Sequence, residues 1–222
     1  MVPTKAMKYD YGKEFDPHQL EPTNIDKLST GFIPKKSKLL ELGCATGFMS
    51  KYFTQVKQCR VFGVEIDPEM AKIAAKSCEN ILVGDLDQPQ TWSKIQAVSP
   101  FDVVFASAVI EHLKHPWAAL QSIKQVLKPQ GILIVTTSNI AHWRMRLQLL
   151  FGRWNYQPYG TLDNTHLRFF TYDTFRDAVE QAGFVIETIV IDPAGGIKYF
   201  NWLARHWPNF YAHQIVIRAR KP

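Results

Sequence analysis

The sequence predicts an α/β domain built on a doubly wound, mostly parallel β-sheet. Short apolar runs that suit buried strands alternate along the chain with segments of helical periodicity. Two of these runs carry an acid near their end, Glu41 just before the glycine loop Gly43 to Gly47, and Glu65 further along. Because parallel strands bring their carboxyl ends to one edge of a sheet, both acids are expected at the edge where such folds bind ligands.

Each predicted element has a local justification. Seven apolar runs suit strands, at residues 38–42, 60–66, 80–83, 101–107, 131–137, 184–191 and 214–219. Three helices have start signals, either an N-cap residue or a proline at the first helical position. They begin at Asp67-Pro68, His115-Pro116 and Thr171, and they are expected to end at Lys76, Lys128-Pro129-Gln130-Gly131 and Gly183.

Three segments lie outside the alternating pattern of this single domain, 1–222. Residues 1–35 are expected to form an N-terminal cap, 139–168 a lid-like insertion after the fifth strand, and 192–212 an aromatic-rich connection before the last strand. In open α/β sheets such additions gather around the substrate pocket. The insertion contains an amphipathic basic helix around Trp143 to Phe151, for which a lid, a homodimer face and a peripheral membrane contact all remain open.

Composition sets broad limits on the function. A chain of 222 residues with 46% hydrophobic and 21% charged residues is typical of a globular domain. We expect no signal peptide and no transmembrane helix, since the first residues lack an apolar run and no stretch of about 18 apolar residues occurs. Three cysteines without metal-ligand spacing predict a reduced, cytoplasmic setting. The net charge of +6 is compatible with plain surface charge, an acidic substrate, RNA or a membrane surface.

The glycine loop distinguishes two kinds of nucleotide ligand. A dinucleotide fingerprint needs G-x-G-x-x-G, but Ala45 takes the middle glycine position and the third falls at Met49 or Ser50. Glu41 would also put a negative charge beside a pyrophosphate. Gly43 and Gly47 still allow a tight turn and a close backbone approach. The loop therefore favours a cationic ligand that carries an adenosine.

In its acid–glycine loop and spaced second acid, the segment resembles the class I S-adenosylmethionine-dependent methyltransferases. The resemblance covers residues 38–191, and it implies a Rossmann-like sheet of seven strands with the last one antiparallel. The family usually has glycine where this chain has Ala45. By resemblance, Glu41 binds the methionine end of the cofactor and Glu65 binds the ribose hydroxyls. Ile66 covers one face of the adenine, and Asp85 binds the adenine amino group with Leu86 beside it. The backbone carbonyls of Ala106 and Ser107 complete the cofactor site. Asp87 is an alternative to Asp85.

Candidate catalytic residues follow the fourth strand and the insertion. Glu111 and His112 lie in a stretch that resembles ubiquinone-type O-methyltransferases, some of which hold a divalent metal with a Glu-x-x-Glu-His cluster. Ala108 replaces the first acid of that cluster, so we predict no metal site. His166 lies in a second stretch, which resembles methyltransferases of poorly defined substrate. One of the two histidines is a candidate general base, and a purely structural role is the alternative for each.

The function predicted from these observations is methyl transfer to a small-molecule acceptor, with a hydroxyl oxygen as the favoured acceptor atom. An RNA or protein methyltransferase is one alternative, although enzymes that methylate bases usually carry Asn/Asp-Pro-Pro-aromatic where this chain has residues 106–109, and no nucleic-acid module is evident. A catalytically silent cofactor-binding partner subunit is the other alternative.

Overall fold

The computed structural model describes residues 15–193 and 201–222, so Met1 to Glu14 of the predicted cap and 194–200 of the aromatic connection lie outside the described residues. Seven strands form one sheet: β1 (Lys38–Leu42), β2 (Arg60–Glu65), β3 (Asn80–Val83), β4 (Phe101–Ser107), β5 (Leu127–Ser138), β6 (Val185–Asp192) and β7 (Gln214–Arg220). Their order is β3-β2-β1-β4-β5-β7-β6, and β7 runs antiparallel to both of its neighbours. The predicted doubly wound, mostly parallel sheet is confirmed.

Helices cover both faces of this sheet. They are α1 (Ile25–Gly31), α2 (Phe48–Gln55), α3 (Pro68–Ala74), α4 (Pro89–Gln96), α5 (Pro116–Val126), α6 (Trp143–Leu150), α7 (Tyr172–Gln181), α8 (Asn201–His206) and α9 (Pro208–Tyr211), with short 3₁₀ turns at Pro17–Gln19 and Ile110–His112. The predicted start signals act as expected. The Asp67 side chain accepts hydrogen bonds from the first turn of α3, and Thr171 and Thr174 form a capping box on α7.

Successive residues of the central strands face opposite helical layers, as the period of two requires. Leu40 and Val104 pack in the apolar cluster that includes α4, α5 and α7. Leu39 and Phe105 pack in the other cluster, with α1 and α2. The described part of the N-terminal segment therefore covers a sheet face, where α1 contacts β5, β6 and β7.

The fifth strand is longer than the sequence predicts, and the Lys-Pro-Gln-Gly segment belongs to it. The helix before it ends at Val126, and Leu127 already pairs with Phe101 of β4. The register then shifts, and Gln130 adopts a φ of 63°. A Cβ on Gly131 would lie 2.8 Å from the carbonyl oxygen of Lys128, so this tight bulge needs glycine.

The insertion helix α6 contains no buried residue. Leu150 and Phe151 are 77% and 68% exposed, so the apolar side of this helix does not pack on the sheet. Its lid, dimer and membrane roles stay predictions. Within the described ranges, no helix is both long and apolar enough to cross a bilayer.

Candidate active site

The glycine loop between β1 and α2 lies where the strand order reverses. There β1 and β4 are neighbours and Leu42 is opposite Ala106, so their carboxyl ends frame one crevice. Gly43 and Gly47 have φ values of 66° and 76°. A Cβ on Gly43 would lie 2.7 Å from Val109 Cγ2. Both the backbone conformation and the close packing therefore require glycine in this loop.

Ala45 also adopts the left-handed conformation, with a φ of 49°. Its methyl group is accommodated, but an alanine in this region costs about 1 kcal/mol or more of backbone strain. The Ala45 amide donates to Glu65 Oε2 at 2.8 Å. Glu65, at the end of β2, therefore fixes the backbone of Ala45, the position at which the resembled family usually has glycine.

Glu65 is nearly buried and is oriented by backbone amides. Besides Ala45, the amides of Ile66 and Asp67 donate to its Oε1 at 2.9 and 3.0 Å. A carboxyl group held in this way is fixed in direction, as a partner for two vicinal hydroxyls must be. Ile66, next in sequence, is 64% exposed, so core packing does not explain this isoleucine.

Glu41, at the end of β1, is 3% exposed. Burial raises its pKa to about 8, against the lowering effect of the Ser50 hydroxyl, which donates to Glu41 Oε2 at 2.5 Å. The nearby charge of Glu65 raises the pKa further. Glu41 is therefore neutral at pH 7 in the empty protein, and a cation at this edge would favour its ionised form.

The two aspartates after β3 have different partners. Asp87 accepts hydrogen bonds from the amides of Lys114 and His115 at 3.0 and 3.1 Å, which fixes the loop that leads into α5. Asp85 accepts only the local amide of Asp87 among the hydrogen bonds described, at 2.8 Å. Leu86, between them, is buried in the core. Asp87 is thus engaged in holding this loop, and the assignment of Asp85 to the adenine amino group stays a prediction.

The end of β4 completes the crevice. Ala106 is fully buried, and Ser107 Oγ lies 3.1 Å from Thr136 Oγ1 of β5. The same threonine hydroxyl accepts a hydrogen bond from the amide of Ala108 at 3.0 Å. Ala108 has a φ of 52°. Thr136, which the sequence analysis missed, therefore shapes the turn that leads from β4 to the catalytic candidates.

The two predicted histidines lie together at this edge. The rings of His112 and His166 are 4.7 Å apart, centroid to centroid, in an edge-to-face arrangement. Their contact depends on the end of the insertion, where the amides of Leu167 and Arg168 donate to the carbonyl of Glu111 at 2.9 and 3.0 Å. Sequence distance hides this pairing, because the fold brings together residues from two separate segments.

Glu111, the residue before His112, is buried. Burial raises its pKa to about 7, and its Oε2 has no hydrogen-bond partner within the part of the chain that the structure describes. A buried carboxyl oxygen without a protein partner accepts a hydrogen bond from either a polar ligand or a water molecule. No group of three or more His, Cys, Asp or Glu side chains in the described ranges is arranged to hold a metal ion.

His142 is a structural histidine. It is fully buried, it caps α6 by accepting the amide of Arg144, and burial lowers its pKa to about 4. Arg168 is exposed and donates to the carbonyl of Leu167 at 3.0 Å. Two further residues, Asp163 and Thr165, join the histidine pair through hydrogen bonds. The Asp-x-Thr spacing, typical of a side-chain-capped turn, is the sequence signal that could have indicated them.

The fold and this crevice define the class: the chain contains a methyltransferase domain. Residues 14–189 match the model of a family described as "Methyltransferase domain", and the chain belongs to that family. The donor set fits the cofactor, since the crevice offers the buried carboxyl groups of Glu41 and Glu65 beside a loop in which Gly43 is exposed.

Curated relatives are O-methyltransferases by name. The chain is 30% identical over 213 residues to the mouse mitochondrial ubiquinone biosynthesis O-methyltransferase, covering 89% of this chain and 56% of the mouse protein. It is 27% identical over 188 residues to the ubiquinone biosynthesis O-methyltransferase of Cereibacter sphaeroides strain ATCC 17029, covering 78% and 75%. The chain thus spans little more than half the length of the mouse relative.

Solved structures support the fold. A SAM-dependent methyltransferase from Archaeoglobus fulgidus matches with a TM-score of 0.64 at 14% identity, covering 88% of this chain and 90% of the other. The Haemonchus contortus phosphoethanolamine N-methyltransferase 2, solved with S-adenosyl-L-methionine, matches with a TM-score of 0.58 at 15% identity, covering 86% and 50%.

Proposed function

We propose that this protein methylates a hydroxyl oxygen of a small-molecule acceptor. The observation that carries the proposal is the imidazole pair, His112 and His166, at the carboxyl edge of the sheet beside the end of β4. A hydroxyl of high pKa must lose its proton during transfer, and histidine is the side chain best suited to take it near neutral pH. The names of the curated relatives support oxygen as the acceptor atom.

The cofactor would be held by the residues that line the crevice. Glu65 would bind the ribose hydroxyls, Ile66 would cover an adenine face, and Asp85 would meet the adenine amino group. Glu41 would interact with the methionine end, together with the backbone carbonyls of Ala106 and Ser107 at the end of β4. When bound, S-adenosylmethionine supplies an activated methyl group on a sulfonium centre.

We assign the role of general base to His112. It lies on the turn that directly follows β4, closest in sequence to the crevice, while His166 packs against its ring. His112 would hold the proton released by the acceptor at a ring nitrogen. Glu111, which is buried and has a pKa raised to about 7, would bind the acceptor through Oε2, the oxygen without a hydrogen-bond partner among the described residues.

The test is single-turnover methylation of a panel of probes, a catechol, a simple phenol and a primary amine, by the parent and two variants. We expect transfer to oxygen, and His112→Ala should lower the rate by about 10²- to 10⁴-fold with cofactor affinity unchanged. His166→Ala should lower it less. His18→Ala, on an exposed 3₁₀ turn far along the chain, is the matched control.

Three results would contradict the proposal. Methylation of the amine in preference to both hydroxyl probes would assign the wrong acceptor atom. Rates of both histidine variants within about tenfold of the parent would show that proximity alone drives the transfer and that the histidines are scaffold. Turnover of RNA or protein but of no small molecule would support the alternative class.

The cytoplasmic location stays a prediction.

A further inference from the structure

The last part of the insertion is fastened beside His112. Two amides, of Leu167 and Arg168, converge on the carbonyl oxygen of Glu111, immediately before His112. The turn that precedes them begins at Asp163, whose side chain is 3% exposed. A buried carboxylate is thereby held close to the proposed base.

Asp163 holds Thr165 by two hydrogen bonds. Its Oδ1 accepts the Thr165 amide at 2.9 Å and the Thr165 hydroxyl at 2.7 Å. A threonine hydroxyl has a single proton to donate. Since a carboxylate is a stronger acceptor than a neutral group, that proton is committed to Asp163.

The same hydroxyl oxygen faces the imidazole of His112. Thr165 Oγ1 lies 3.1 Å from His112 Nδ1, and the Thr165 carbonyl oxygen lies 3.3 Å from the same nitrogen. A carbonyl can only accept, and the hydroxyl proton is already used. Both groups therefore act as acceptors for an N–H on Nδ1 of His112, which assigns the proton to that nitrogen. The basic lone pair of the neutral ring is then on Nε2.

We propose that Asp163 and Thr165 are positioning residues that hold His112 in the Nδ1–H tautomer, with Nε2 as the atom that takes the acceptor proton. The inference rests on the proposed function for the role of His112 as base. The chain Asp163–Thr165–His112 performs what a carboxylate in direct contact does in a Ser-His-Asp triad, where loss of the correct tautomer is costly. The threonine hydroxyl transmits the orientation because it donates its own proton to Asp163.

The proposal explains why the insertion returns to the sheet edge. Without the turn at Asp163, the Nδ1 of His112 would have no fixed acceptors from this segment, and the two neutral tautomers would compete. The ring could then present a donor rather than an acceptor to the substrate. A positioned base loses its advantage if only part of the population carries the lone pair at the correct nitrogen.

The first measurement needs no acceptor. Long-range ¹H–¹⁵N correlation spectra of the histidine side chains, assigned with His112→Ala, report which ring nitrogen carries the proton. We expect Nδ1–H for His112 in the parent and in Thr165→Ser, which keeps the hydroxyl. Thr165→Val removes the hydroxyl at nearly constant shape and should increase the Nε2–H population.

The second measurement is single-turnover methylation of the catechol probe. Thr165→Val should lower the rate by about 10- to 100-fold, the range typical when a partner that orients a histidine is lost, with probe and cofactor affinities within twofold of the parent. Thr165→Ser should restore most of the rate. Asp163→Asn, which keeps the shape but removes the charge, should give a loss between these two.

The outcomes separate the two proposals. Nε2–H as the main tautomer in the parent, or a Thr165→Val rate within twofold of the parent while His112→Ala falls 100-fold, would overturn the positioning role and leave the base intact. A weakened affinity with an unchanged rate would mean that Thr165 merely supports the pocket, and would overturn it too. A full rate for His112→Ala would overturn the base assignment, and with it the catalytic part of this inference.

Discussion

The cofactor-free protein should lose stability as the pH rises from 6 to 9, because Glu41 is buried in its neutral form. Burial raises the pKa of Glu41 from an ordinary value of 4.5 to about 8. Between those two values the folded state holds a proton that the unfolded state has released. The stability that this group contributes is therefore complete below about pH 4.5 and is lost as the pH rises through about 8.

The size of the effect follows from the two pKa values. At about 1.4 kcal/mol per pKa unit, the whole difference corresponds to about 5 kcal/mol. At pH 6 part of it has already gone, so the free energy of unfolding should fall by about 2–3 kcal/mol between pH 6 and pH 9. For a chain of this length that lowers Tm by about 5–10 °C.

Thermal unfolding followed by circular dichroism at pH 6, 7, 8 and 9 tests this prediction. The parent should be compared with Glu41→Gln and with Glu69→Gln, an exposed acid on α3. Glu111, whose pKa is also raised, is present in all three proteins, so its contribution cancels. We expect the parent and Glu69→Gln to fall in parallel and Glu41→Gln to fall clearly less. Parallel curves for the parent and Glu41→Gln would refute the reasoning.

Three further predictions concern the same crevice. Glu65→Ala should weaken S-adenosylmethionine binding by about 2–4 kcal/mol in calorimetry through loss of charge-assisted hydrogen bonds, and unchanged affinity in a folded variant would contradict the assignment. Gly47→Ala should destabilise the fold more than Gly160→Ala. Both glycines have a positive φ, but only at Gly47 would the added Cβ lie 2.8 Å from a backbone atom, the Cα of Ala74. Equal losses of stability in denaturant titrations would count against this clash. Activity should survive exhaustive chelation because Ala108 offers no ligand, and rescue of a chelated enzyme by magnesium would show a metal site.

Most of the fold could be predicted because its signals are local. The strand 38–42 and the strand 101–107 have the predicted bounds, since a buried parallel strand shows as an apolar run with turn residues on either side. The start of β5 was mispredicted because Lys128 to Gly131 resembles a helix stop. Pairing of Leu127 with Phe101 decides the matter, and that contact is between strands rather than within the segment.

The residues of the candidate site also divide into those with a local sequence signal and those that depend on contacts between distant segments. Glu41 and Glu65 lie at the carboxyl ends of neighbouring parallel strands, so the topology alone brings them to one edge. The hydrogen bonds that Asp87 accepts from Lys114 and its neighbour come from another segment, and no local pattern indicates them. The contact of Thr165 with the histidine of the β4 turn likewise depends on the path of the insertion.

The burial of two acids at one edge also explains the ligand class. The charge of Glu65 helps to raise the pKa of Glu41, so the Glu41 carboxyl is mostly neutral near pH 7. A pyrophosphate would bring further negative charge to this edge, beside Glu65, and raise the electrostatic energy. A sulfonium or ammonium group would instead favour ionisation of Glu41, and the exposed Ile66 gives a flat base an apolar surface. The same burial that lowers stability at neutral pH therefore selects a cationic nucleoside over a dinucleotide.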